Sequence, residues 1–455
     1  MGVAVHPPKS VSAILSKLKE HGYEAYAVGG CVRDSVMGVA PKDWDIASNA
    51  LPSVIKELFP RTTDTGLRHG TVTVLLEEEA FEVTTFRIDG EYGDSRHPEQ
   101  VEFTGLIEED LRRRDFTINA MAWNEERGLI DPFGGMKDIA AGCIRCVGDP
   151  TERFREDALR MLRAVRFAAR LGFQIDQTAI RGIAKDSDLI FNISGERIRE
   201  ELTGILTAEH PMKFLLLRDT GLLSKILPEV EACFNTLQNN PHHIYNVGEH
   251  SIRAVAAIEN DRSLRWAMLL HDTGKAVTRT TDEKGVDHFY GHAARSVEIA
   301  ENILRRLRFD GRSLDRILRL IRYHDREIVP QPTAVARAVN QIGEGIFPDL
   351  LKVKRADSSA QNPADLKKRI VEVDRIEEIY MELLEREHCL KLKDLAVNGE
   401  DLIRIGFKKG PEIGKVLKTL FDRVLADPEM NDREILKGMA IKMLEQGLNN
   451  AEVIT

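Results

Sequence analysis

The sequence predicts a small α/β head at the N-terminal end of the chain and a long, mostly α-helical body behind it. Residues 70–88 are rich in β-branched side chains, which is typical of two strands or a hairpin. Residues 23–30, "YEAYAVGG", read as a strand that runs into a turn. Beyond residue 151 the strand signals nearly vanish, and apolar residues recur at helical spacing to the C-terminus.

The individual elements follow from the same periodicities. Val11, Ile14, Leu15 and Leu18 lie at helical spacing and predict a first helix over 11–21. The helical body is interrupted by loops near residues 240, 280, 330 and 360. With 455 residues, two to four domains are expected.

Composition narrows the class of protein. The apolar fraction of 42% is ordinary for a globular chain, and the absence of any run of about 18 apolar residues argues against a membrane span. The first residues lack the pattern of a signal peptide, and five cysteines favour a reducing compartment, so we expect a cytoplasmic protein. The net charge of -9 argues globally against a nucleic-acid partner, but basic residues cluster at 111–115 and 153–170, and phosphate contacts are made patch by patch.

Two carboxylates follow the glycine turn of the head. Asp43 and Asp45 are two residues apart, so on one strand they point to the same face and would repel each other without a cation. A pair of Mg²⁺ ions, roughly 3.5–4 Å apart as in two-metal phosphoryl transfer, resolves that repulsion. Gly29 and Gly30 allow close approach of backbone amides to a triphosphate, and Arg33 adds a charged contact. Glu82 is a candidate third carboxylate from a neighbouring strand. A solvated strand is the alternative reading of the two aspartates alone.

Four motifs in order carry a resemblance to a known family. They are VGGCVRD…DWDIA (28–47), RRRDFTINAMAWN (112–124), LIDPFGGMKDI (129–139) and REDALRMLRAVRFAARLGF (155–173). Together they resemble the bacterial-type, class II tRNA nucleotidyltransferases, a family that includes bacterial poly(A) polymerases and whose head is similar to polymerase-β-like nucleotidyltransferases. The resemblance implies template-independent addition of C, C and A to the 3′ end of tRNA, with CTP and ATP as substrates.

The resemblance also assigns residues. Asp43 and Asp45 match the magnesium ligands, and the nucleotide-binding positions match Gly29, Gly30, Arg33, Arg114, Asp157, Arg160, Arg163 and Arg166. The last four are placed on a nucleotide-recognition helix.

The pair Asp157 and Arg160 also has a physical interpretation of its own. Residues three apart on a helix are neighbours, so this pair offers an acceptor beside a fork of donors. Cytosine and adenine both carry an exocyclic amino donor, whereas uracil and guanine carry a carbonyl there. One rigid pair can therefore accept C and A and reject U and G. A plain ion pair on a solvated helix is the alternative.

Residues 88–103 form a polar stretch between the head strands and the RRRD motif. In the resembled family this region is a loop needed for the switch from C to A addition. Its presence here favours full CCA addition over CC addition.

Histidines are concentrated in the middle of the body, in the segments 242–251, 269–275, 288–296 and 321–327. Imidazole suits transition metals, and adjacent His271 and Asp272 can ligate one ion or bridge two. The pattern resembles the HD phosphohydrolase superfamily. The resemblance implies His250, His271, Asp272 and Asp325 as core ligands of an unidentified divalent transition metal, with His292 and His324 as the extra histidines of two-metal members. The implied activities are 2′,3′-cyclic phosphodiesterase, 2′-nucleotidase and phosphatase.

The sequence thus predicts four regions: a nucleotidyltransferase head over 1–150, a helical neck for nucleotide recognition over 151–235, an HD domain over 236–345 and a tRNA-binding tail over 346–455. The expected partners are tRNA, CTP and ATP, without a membrane; no protein partner is indicated. The alternatives are an enzyme that adds only A or only CC, a poly(A) polymerase, an HD hydrolase with a vestigial head, and an RNA-binding adaptor without catalysis.

Overall fold

A computed structural model of the chain describes residues 5–66, 70–90, 101–385 and 392–446. The chain divides into two compact units, one formed by residues 1–231 with 306–308 and the other by residues 232–305 with 309–455. The predicted order of an α/β head and a helical body is confirmed. Among the residues that the structure describes, no helix combines the length and apolar composition needed to cross a lipid bilayer.

A seven-stranded mixed sheet forms the head. The strands of the first 130 residues are β1 (Ala25–Val28), β2 (Asp45–Ser48), β3 (Thr62–Gly66), β4 (Thr71–Leu76), β5 (Glu79–Thr85), β6 (Arg87–Asp89), β7 (Val101–Phe103), β8 (Ala122–Asn124) and β9 (Gly128–Ile130). The sheet order is β3-β4-β5-β2-β1-β8-β9, and β6 pairs with β7 separately. The central strands β1 and β2 are antiparallel, with Val28 opposite Asp45. Residues 70–88 contain β4, β5 and most of β6, so the predicted hairpin is present.

Helices cover both faces of this sheet. The helices of the head are α1 (Lys9–Glu20), α2 (Gly30–Val36), α3 (Pro52–Leu58), α4 (Ile107–Arg112) and α5 (Gly135–Ala140). Val11, Ile14 and Leu18 of α1 are fully buried in one core with residues of β1, β2, β4 and β5. A second core contains Ile107 and Leu111 of α4. The glycine turn between β1 and α2 is thereby fixed above a sheet that is packed on both sides.

The helices of residues 150–234 lie in the region that the sequence predicts as the neck. They are α6 (Pro150–Glu156), α7 (Leu159–Leu171), α8 (Gln177–Asp186), α9 (Gly195–Leu206), α10 (Leu215–Asp219), α11 (Leu222–Ile226) and α12 (Pro228–Phe234), and a short parallel pair joins β10 (Cys143–Ile144) to β11 (Gln174–Ile175). Helix α7 packs against α9, and α6 packs against α8. The sequence predicted one recognition helix through Asp157 and Arg160. Instead, the helix breaks at Asp157 and Ala158, and only Arg160 lies within α7.

The second unit is almost entirely helical. Its elements are α13 (Val247–Ala257), α14 (Arg262–Leu270), α15 (Lys275–Thr278), β12 (Thr280–Thr281), β13 (Asp287–His288), α16 (His292–Arg306), α17 (Gly311–Tyr323), α18 (Pro332–Ile342), α19 (Phe347–Ser359), α20 (Leu366–Glu385), α21 (Gly399–Ile405), α22 (Pro411–Ala426) and α23 (Arg433–Gln446). Asn246, Asp261 and Asp310 cap the starts of α13, α14 and α17 with their side chains. Helix α19 packs against α13, α14 and α17, so the helices around the histidines extend beyond residue 345, where the sequence placed a boundary.

Candidate active sites

The glycine turn of the head needs glycine at its first position. Gly29 has φ +79°, a conformation that other residues rarely adopt, and its amide donates to the Met121 carbonyl oxygen at 3.1 Å. A Cβ at Gly29 would lie 3.0 Å from Nη1 of Arg114. A side chain here would therefore displace an arginine that the sequence assigns to nucleotide binding.

The two aspartates lie at the start of β2, on the edge of the same site. Asp45 is the first residue of the strand, whereas Asp43 lies in the bend before it, so only one of the pair belongs to a strand. Trp44 between them is buried and both carboxylates are exposed, so the alternation that the sequence predicted is retained. Desolvation by the surrounding protein raises the pKa of Asp45, Arg114 opposes this, and Asp43 adds to it. Asp43 therefore acts on Asp45 as a like charge.

Glu82 lies on β5, the parallel neighbour of β2. Ile46 pairs with Val83 in this register, which places the exposed Glu82 beside Asp45 on the same face of the sheet. Its candidacy as a third carboxylate is compatible with that position.

An open cavity of about 420 Å³ joins the turn, Asp45 and the neck. Its charged lining consists of eight arginines and three aspartates: Arg33, Arg113, Arg114, Arg160, Arg163, Arg166, Arg170, Arg197, Asp45, Asp115 and Asp157. Gly29, Gly30, Asn119, Leu159 and Phe167 complete the lining. All eight nucleotide-binding residues expected from the sequence line this one cavity, and its surplus of positive charge suits an anionic ligand.

Several of these arginines are held by dedicated acidic partners. The buried Arg33 donates Nε and Nη2 to Oδ1 of Asp34 at 2.8 and 2.6 Å, and Nη1 to Oδ1 of Asn119 at 2.5 Å. Arg114 donates Nη2 to Oδ2 of Asp110 at 3.1 Å. Such pairs fix the positions of the guanidinium groups before any ligand arrives.

Helix α7 presents two further arginines that are held in the same way. Arg163 donates to the Asp115 carboxylate, at 2.8 Å from Nε and 2.7 Å from Nη2. Burial opposes ionisation of Asp115, but Arg163 outweighs it and lowers the pKa of that carboxyl. Arg166 donates Nε to Oε2 of Glu201 on α9 at 2.6 Å. A guanidinium that already shares its charge can still donate its remaining N–H groups to a ligand.

Asp157 and Arg160 have separate partners in this structure. Asp157 accepts from the Leu159 amide at 3.0 Å through Oδ1 and from Nη2 of Arg197 at 3.0 Å through Oδ2. Arg160 is bonded to Glu156 and donates to the carbonyl oxygens of Arg153 and Arg113, each at 3.1 Å. The Arg160 amide donates to the Asp157 carbonyl oxygen at 3.0 Å, so a single turn of backbone still places the two residues in one wall of the cavity.

In the second unit, four histidine rings point the same atom, Nε2, towards one another. Each Nδ1 lies on a backbone carbonyl oxygen, at 3.1 Å for His250, 2.8 Å for His271, 2.9 Å for His292 and 2.7 Å for His324. A carbonyl only accepts, so Nδ1 donates and Nε2 keeps a free lone pair when the ring is neutral. The Nε2 atoms face each other in two pairs, His250 with His271 at 3.2 Å and His292 with His324 at 3.3 Å. Lone pairs that face each other at such distances repel, so each pair needs a proton or a metal ion between its two Nε2 atoms.

Asp272 joins the two histidine pairs. Its Oδ2 lies 3.5 Å from Nε2 of His250 and 3.3 Å from that of His271, and its Oδ1 lies 3.4 and 3.5 Å from those of His292 and His324. The side chain is buried, and the ammonium of the buried Lys275 partners its Oδ2. The other oxygen faces two imidazole nitrogens, an arrangement that suits a bridging metal ion.

Asp357 of α19 completes the first pair, in the place the sequence assigned to Asp325. Oδ1 of Asp357 lies 2.9 Å from Nε2 of His250 and 3.6 Å from that of His271. Asp325 is about two-thirds exposed (67%), and its Oδ2 lies 3.9 Å from Nε2 of His292, at the edge of the second pair. The structure therefore brings together His250, His271, Asp272, His292 and His324, and it places Asp325 outside this cluster.

Two further titratable groups, His243 and Lys275, lie next to this centre, and the centre itself shifts the pKa of His271. Burial opposes a charged ring at His271, yet the carboxylates of Asp272 and Asp357 outweigh it and raise the pKa of His271 to about 10. Burial and the nearby Lys275 lower the pKa of His243 to about 3, and its ring packs edge-on against His250 at 5.4 Å between centroids. Lys275 lies 2.7 Å from Oδ2 of Asp272.

Comparison with known proteins agrees with this division of sites. A family model described as "Poly A polymerase head domain" matches residues 25–145, one described as "Probable RNA and SrmB- binding site of polymerase A" matches 172–234, and an "HD domain" model matches 242–373. A curated "CCA-adding enzyme" of Geobacillus kaustophilus is 36% identical over 435 residues, which cover 94% of this chain and 95% of that protein. The one from Limosilactobacillus fermentum is 32% identical over 95% of this chain and 96% of that protein. This chain belongs to the CCA-adding enzyme family.

Solved structures of CCA-adding enzymes share the fold. The Bacillus stearothermophilus enzyme in complex with CTP has a TM-score of 0.74 and 30% identity, with 98% of this chain and 100% of that chain covered. The Thermotoga maritima enzyme, in complex with tRNA, has a TM-score of 0.59 at 22% identity, with 97% of each chain covered, and supports the fold alone. The predictions of a nucleotidyltransferase fold with an HD domain are confirmed.

Sequence reasoning left four charged residues of the arginine-lined cavity out of the candidate site. Arg113 and Asp115 lie within the quoted RRRD motif, and Arg170 lies on the basic stripe of α7, so their neighbours gave a signal. Arg197 lies on α9, some distance along the chain in an ordinary amphipathic segment. The loop expected to switch between C and A addition falls largely on residues 91–100, which lie outside the described residues.

Proposed function

We propose that this chain adds C, C and A to the 3′ end of tRNA, using CTP and ATP in the arginine-lined cavity of the first unit. The observation that carries the proposal is the convergence of Asp45, the Gly29–Gly30 turn and eight arginines on one cavity of about 420 Å³. Relatives named as CCA-adding enzymes and a neighbouring structure in complex with CTP support the same substrates.

The residues at the edge of the cavity fit magnesium ions. Asp43 and Asp45 are exposed hard oxygen donors whose mutual repulsion helps to raise the pKa of Asp45. Together with Glu82 they would hold Mg²⁺, which supplies charge neutralisation at the α-phosphate and at the leaving oxygen. The exposure of the two carboxylates and the pKa shift of Asp45 support this two-metal proposal.

The arginines account for the substrate's negative charge. A triphosphate in the cavity meets the guanidinium groups of Arg33, Arg114 and Arg163, each already positioned by a carboxylate. The 3′ oxygen of the tRNA then bonds to the α-phosphorus of the nucleotide, and the bond from that phosphorus to the bridging oxygen breaks, which releases pyrophosphate. Fixed positive charge beside the departing pyrophosphate favours this step.

Base selection falls to Asp157 and Arg160. The Asp157 carboxylate can accept from the amino group of cytosine or adenine, and Arg160 can donate to the adjacent ring nitrogen. Arg197 binds one oxygen of Asp157, so the acceptor is oriented in advance. A carbonyl of uracil or guanine would face that carboxylate and be rejected.

One assay tests the addition reaction and separates its alternatives. Labelled tRNA ending at the discriminator base is incubated with CTP, ATP or both, and product lengths are counted. Full CCA addition gives two added residues with CTP alone and three with both nucleotides. Products limited to CC, to a single A on a CC-ending tRNA, or to a long A tract would replace the proposal with the corresponding alternative.

For the second unit we propose a metal-dependent phosphohydrolase acting on 2′,3′-cyclic or terminal phosphate esters of RNA. The donor set fits divalent transition metals, because imidazole nitrogens and a bridging carboxylate are their usual ligands. His250, His271, Asp272 and Asp357 would hold one ion, and Asp272, His292 and His324 a second. Bound ions would supply an activated water and an electrophile for the phosphate.

Backbone carbonyls and a lysine of the chain position the imidazole rings and offset the charge of that centre. Backbone carbonyls fix the four imidazole rings, and Lys275 balances part of the charge on Asp272. The test loads the full chain with Mn²⁺, Co²⁺ or Ni²⁺, measures bound metal, and follows hydrolysis of 2′,3′-cyclic AMP. Bound metal without hydrolysis of any phosphate ester would contradict the activity, and absence of bound metal would contradict the centre itself.

A further inference from the structure

An exposed aromatic pair lies on the segment that leads into the histidine centre. Tyr290 is 79% exposed, although it lies only two residues before His292. Its ring stacks on that of His288, with 5.4 Å between centroids and 4° between planes. The two rings are offset, the Tyr290 hydroxyl lies 3.5 Å from Nδ1 of His288, and the tyrosine side chain remains largely open to solvent.

The pair is held in place by its own hydrogen bonds. His288 lies in β13, opposite Thr280 of β12, and its Nε2 donates to Oδ2 of Asp282 at 3.0 Å. Oδ1 of Asp282 accepts from the amides of Lys284 and Val286, each at 2.9 Å. The imidazole under Tyr290 is therefore fixed by a turn whose aspartate is itself fixed, which is more order than a solvated surface tyrosine requires.

The same segment touches the histidine centre directly. The carbonyl oxygen of Phe289 accepts from Nδ1 of His292 at 2.9 Å and so orients that ring. The Phe289 ring lies 5.4 Å from Nζ of Lys275, the lysine paired with Asp272. Two peptide units separate Tyr290 from His292, so their Cα atoms are at most about 7.6 Å apart.

We propose that Tyr290, backed by His288, stacks on the nucleobase of the ribonucleotide whose phosphate ester is hydrolysed at the histidine centre. Unpaired terminal bases of RNA stack on exposed aromatic rings, and such stacking tolerates any base because each has a π-face. The substrate class is therefore a ribonucleotide phosphate, free or at an RNA end, in preference to a phosphate ester without a base. The proposal rests on the proposed phosphohydrolase, whose residues would anchor the phosphate.

The test compares two substrates on the metal-loaded full chain: 2′,3′-cyclic AMP and a methyl riboside 2′,3′-cyclic phosphate, which has no base. Tyr290→Ala is expected to raise KM for cyclic AMP about tenfold, leave kcat nearly unchanged, and leave both constants for the base-free ester unchanged. Tyr290→Phe keeps the ring and retains the wild-type KM, whereas His288→Ala removes its support and gives an intermediate KM. Phe191→Ala, at an exposed aromatic of the first unit, serves as the matched control.

Two outcomes overturn the proposal that Tyr290 is a stacking platform for the base. One is an equal change of KM for both substrates in Tyr290→Ala, and the other is no change of KM for either substrate. If the wild type hydrolyses neither ester with Mn²⁺, Co²⁺ or Ni²⁺, the phosphohydrolase fails, and calorimetric titration with 2′-AMP then tests the platform by itself. An approximately tenfold weaker affinity in Tyr290→Ala supports the platform independently of catalysis, and equal affinities overturn it.

Discussion

The arginine-lined cavity of the first unit and the histidine centre of the second solve opposite charge problems. In the cavity, Arg33, Arg114 and Arg163 each have a carboxylate within hydrogen-bonding distance. In the histidine centre, Asp272 is buried among four imidazoles, and the nearby Lys275 offsets one of its oxygens only. The first site presents a surplus of guanidinium groups, which suits an anionic ligand, and the second presents converging imidazole nitrogens and carboxylate oxygens, which suit a cation. The kind of donor atom that each site gathers therefore distinguishes the two ligands.

The most direct test of this contrast is a substitution of Asp45. Among the described residues, Asp115 and Asp157 of the cavity each accept a hydrogen bond from an arginine, and Asp45 is recorded with none. Asp45→Ala is expected to lower CCA addition roughly a thousandfold, because the charge that holds the metal beside the triphosphate is lost. Affinity for tRNA, measured by filter binding, should persist. Asp64→Ala removes another exposed head carboxylate and is the control. Normal turnover by Asp45→Ala would remove the two-metal hypothesis.

A second test removes a ligand from the other site. His271→Ala is expected to lower bound transition metal, measured by elemental analysis, and cyclic-phosphate hydrolysis by roughly a hundredfold or more. CCA addition should continue at the wild-type rate, and His21→Ala, an exposed histidine of the head, should change neither activity. Loss of CCA addition in His271→Ala would show that the two sites are not independent.

Protection of backbone amides from hydrogen exchange by a bound ligand tests the same contrast without mutation. Any ligand at a hundred times its dissociation constant stabilises the form that binds it by ~2.7 kcal/mol. Mn²⁺ or Co²⁺ should therefore slow amide exchange in α13, α14 and α17 by about a hundredfold, and Mg²⁺ with CTP should do the same in α7 and α9. Protection of α7 by a transition metal in the absence of nucleotide would contradict the assignment of cation and anion sites.

The parts of these sites that could be predicted from sequence are the locally encoded ones. Gly29 needs a positive φ and sits beside an arginine, and Asp45 alternates with a buried Trp44, so short motifs sufficed. The break at Asp157 was missed because helical periodicity continues on both sides of it. What ends the helix is a side chain that bonds the Leu159 amide and Arg197. Periodicity does not report such competition from a tertiary partner.

The second carboxylate of the histidine centre was missed for a similar reason. Asp325 directly follows His324 and matched the expected pattern, but it extends to solvent from the end of α17. Asp357 lies inside α19, and only the packing of that helix against α13 and α14 brings it to His250. A carboxylate that helix packing brings to the centre leaves no mark in the spacing of the motif.

The smallest expected effect concerns Arg197. In the cavity its guanidinium binds the carboxylate of Asp157 and is not assigned to the ligand. Arg197→Met removes the partner of the Asp157 carboxylate, so discrimination of CTP against UTP should fall by about tenfold, the equivalent of ~1.4 kcal/mol, with little change in kcat for CTP. Arg197→Lys keeps a charge near Asp157 and should recover part of the selectivity. Arg181→Met, at an exposed arginine of α8, is the control for a general loss of positive charge.

If Arg197→Met lowered kcat for CTP and UTP equally, Arg197 would support the neck without orienting the base-reading acid. A selectivity change alone assigns it to recognition, because mere loss of stability alters the amount of active enzyme and not its choice between two nucleotides.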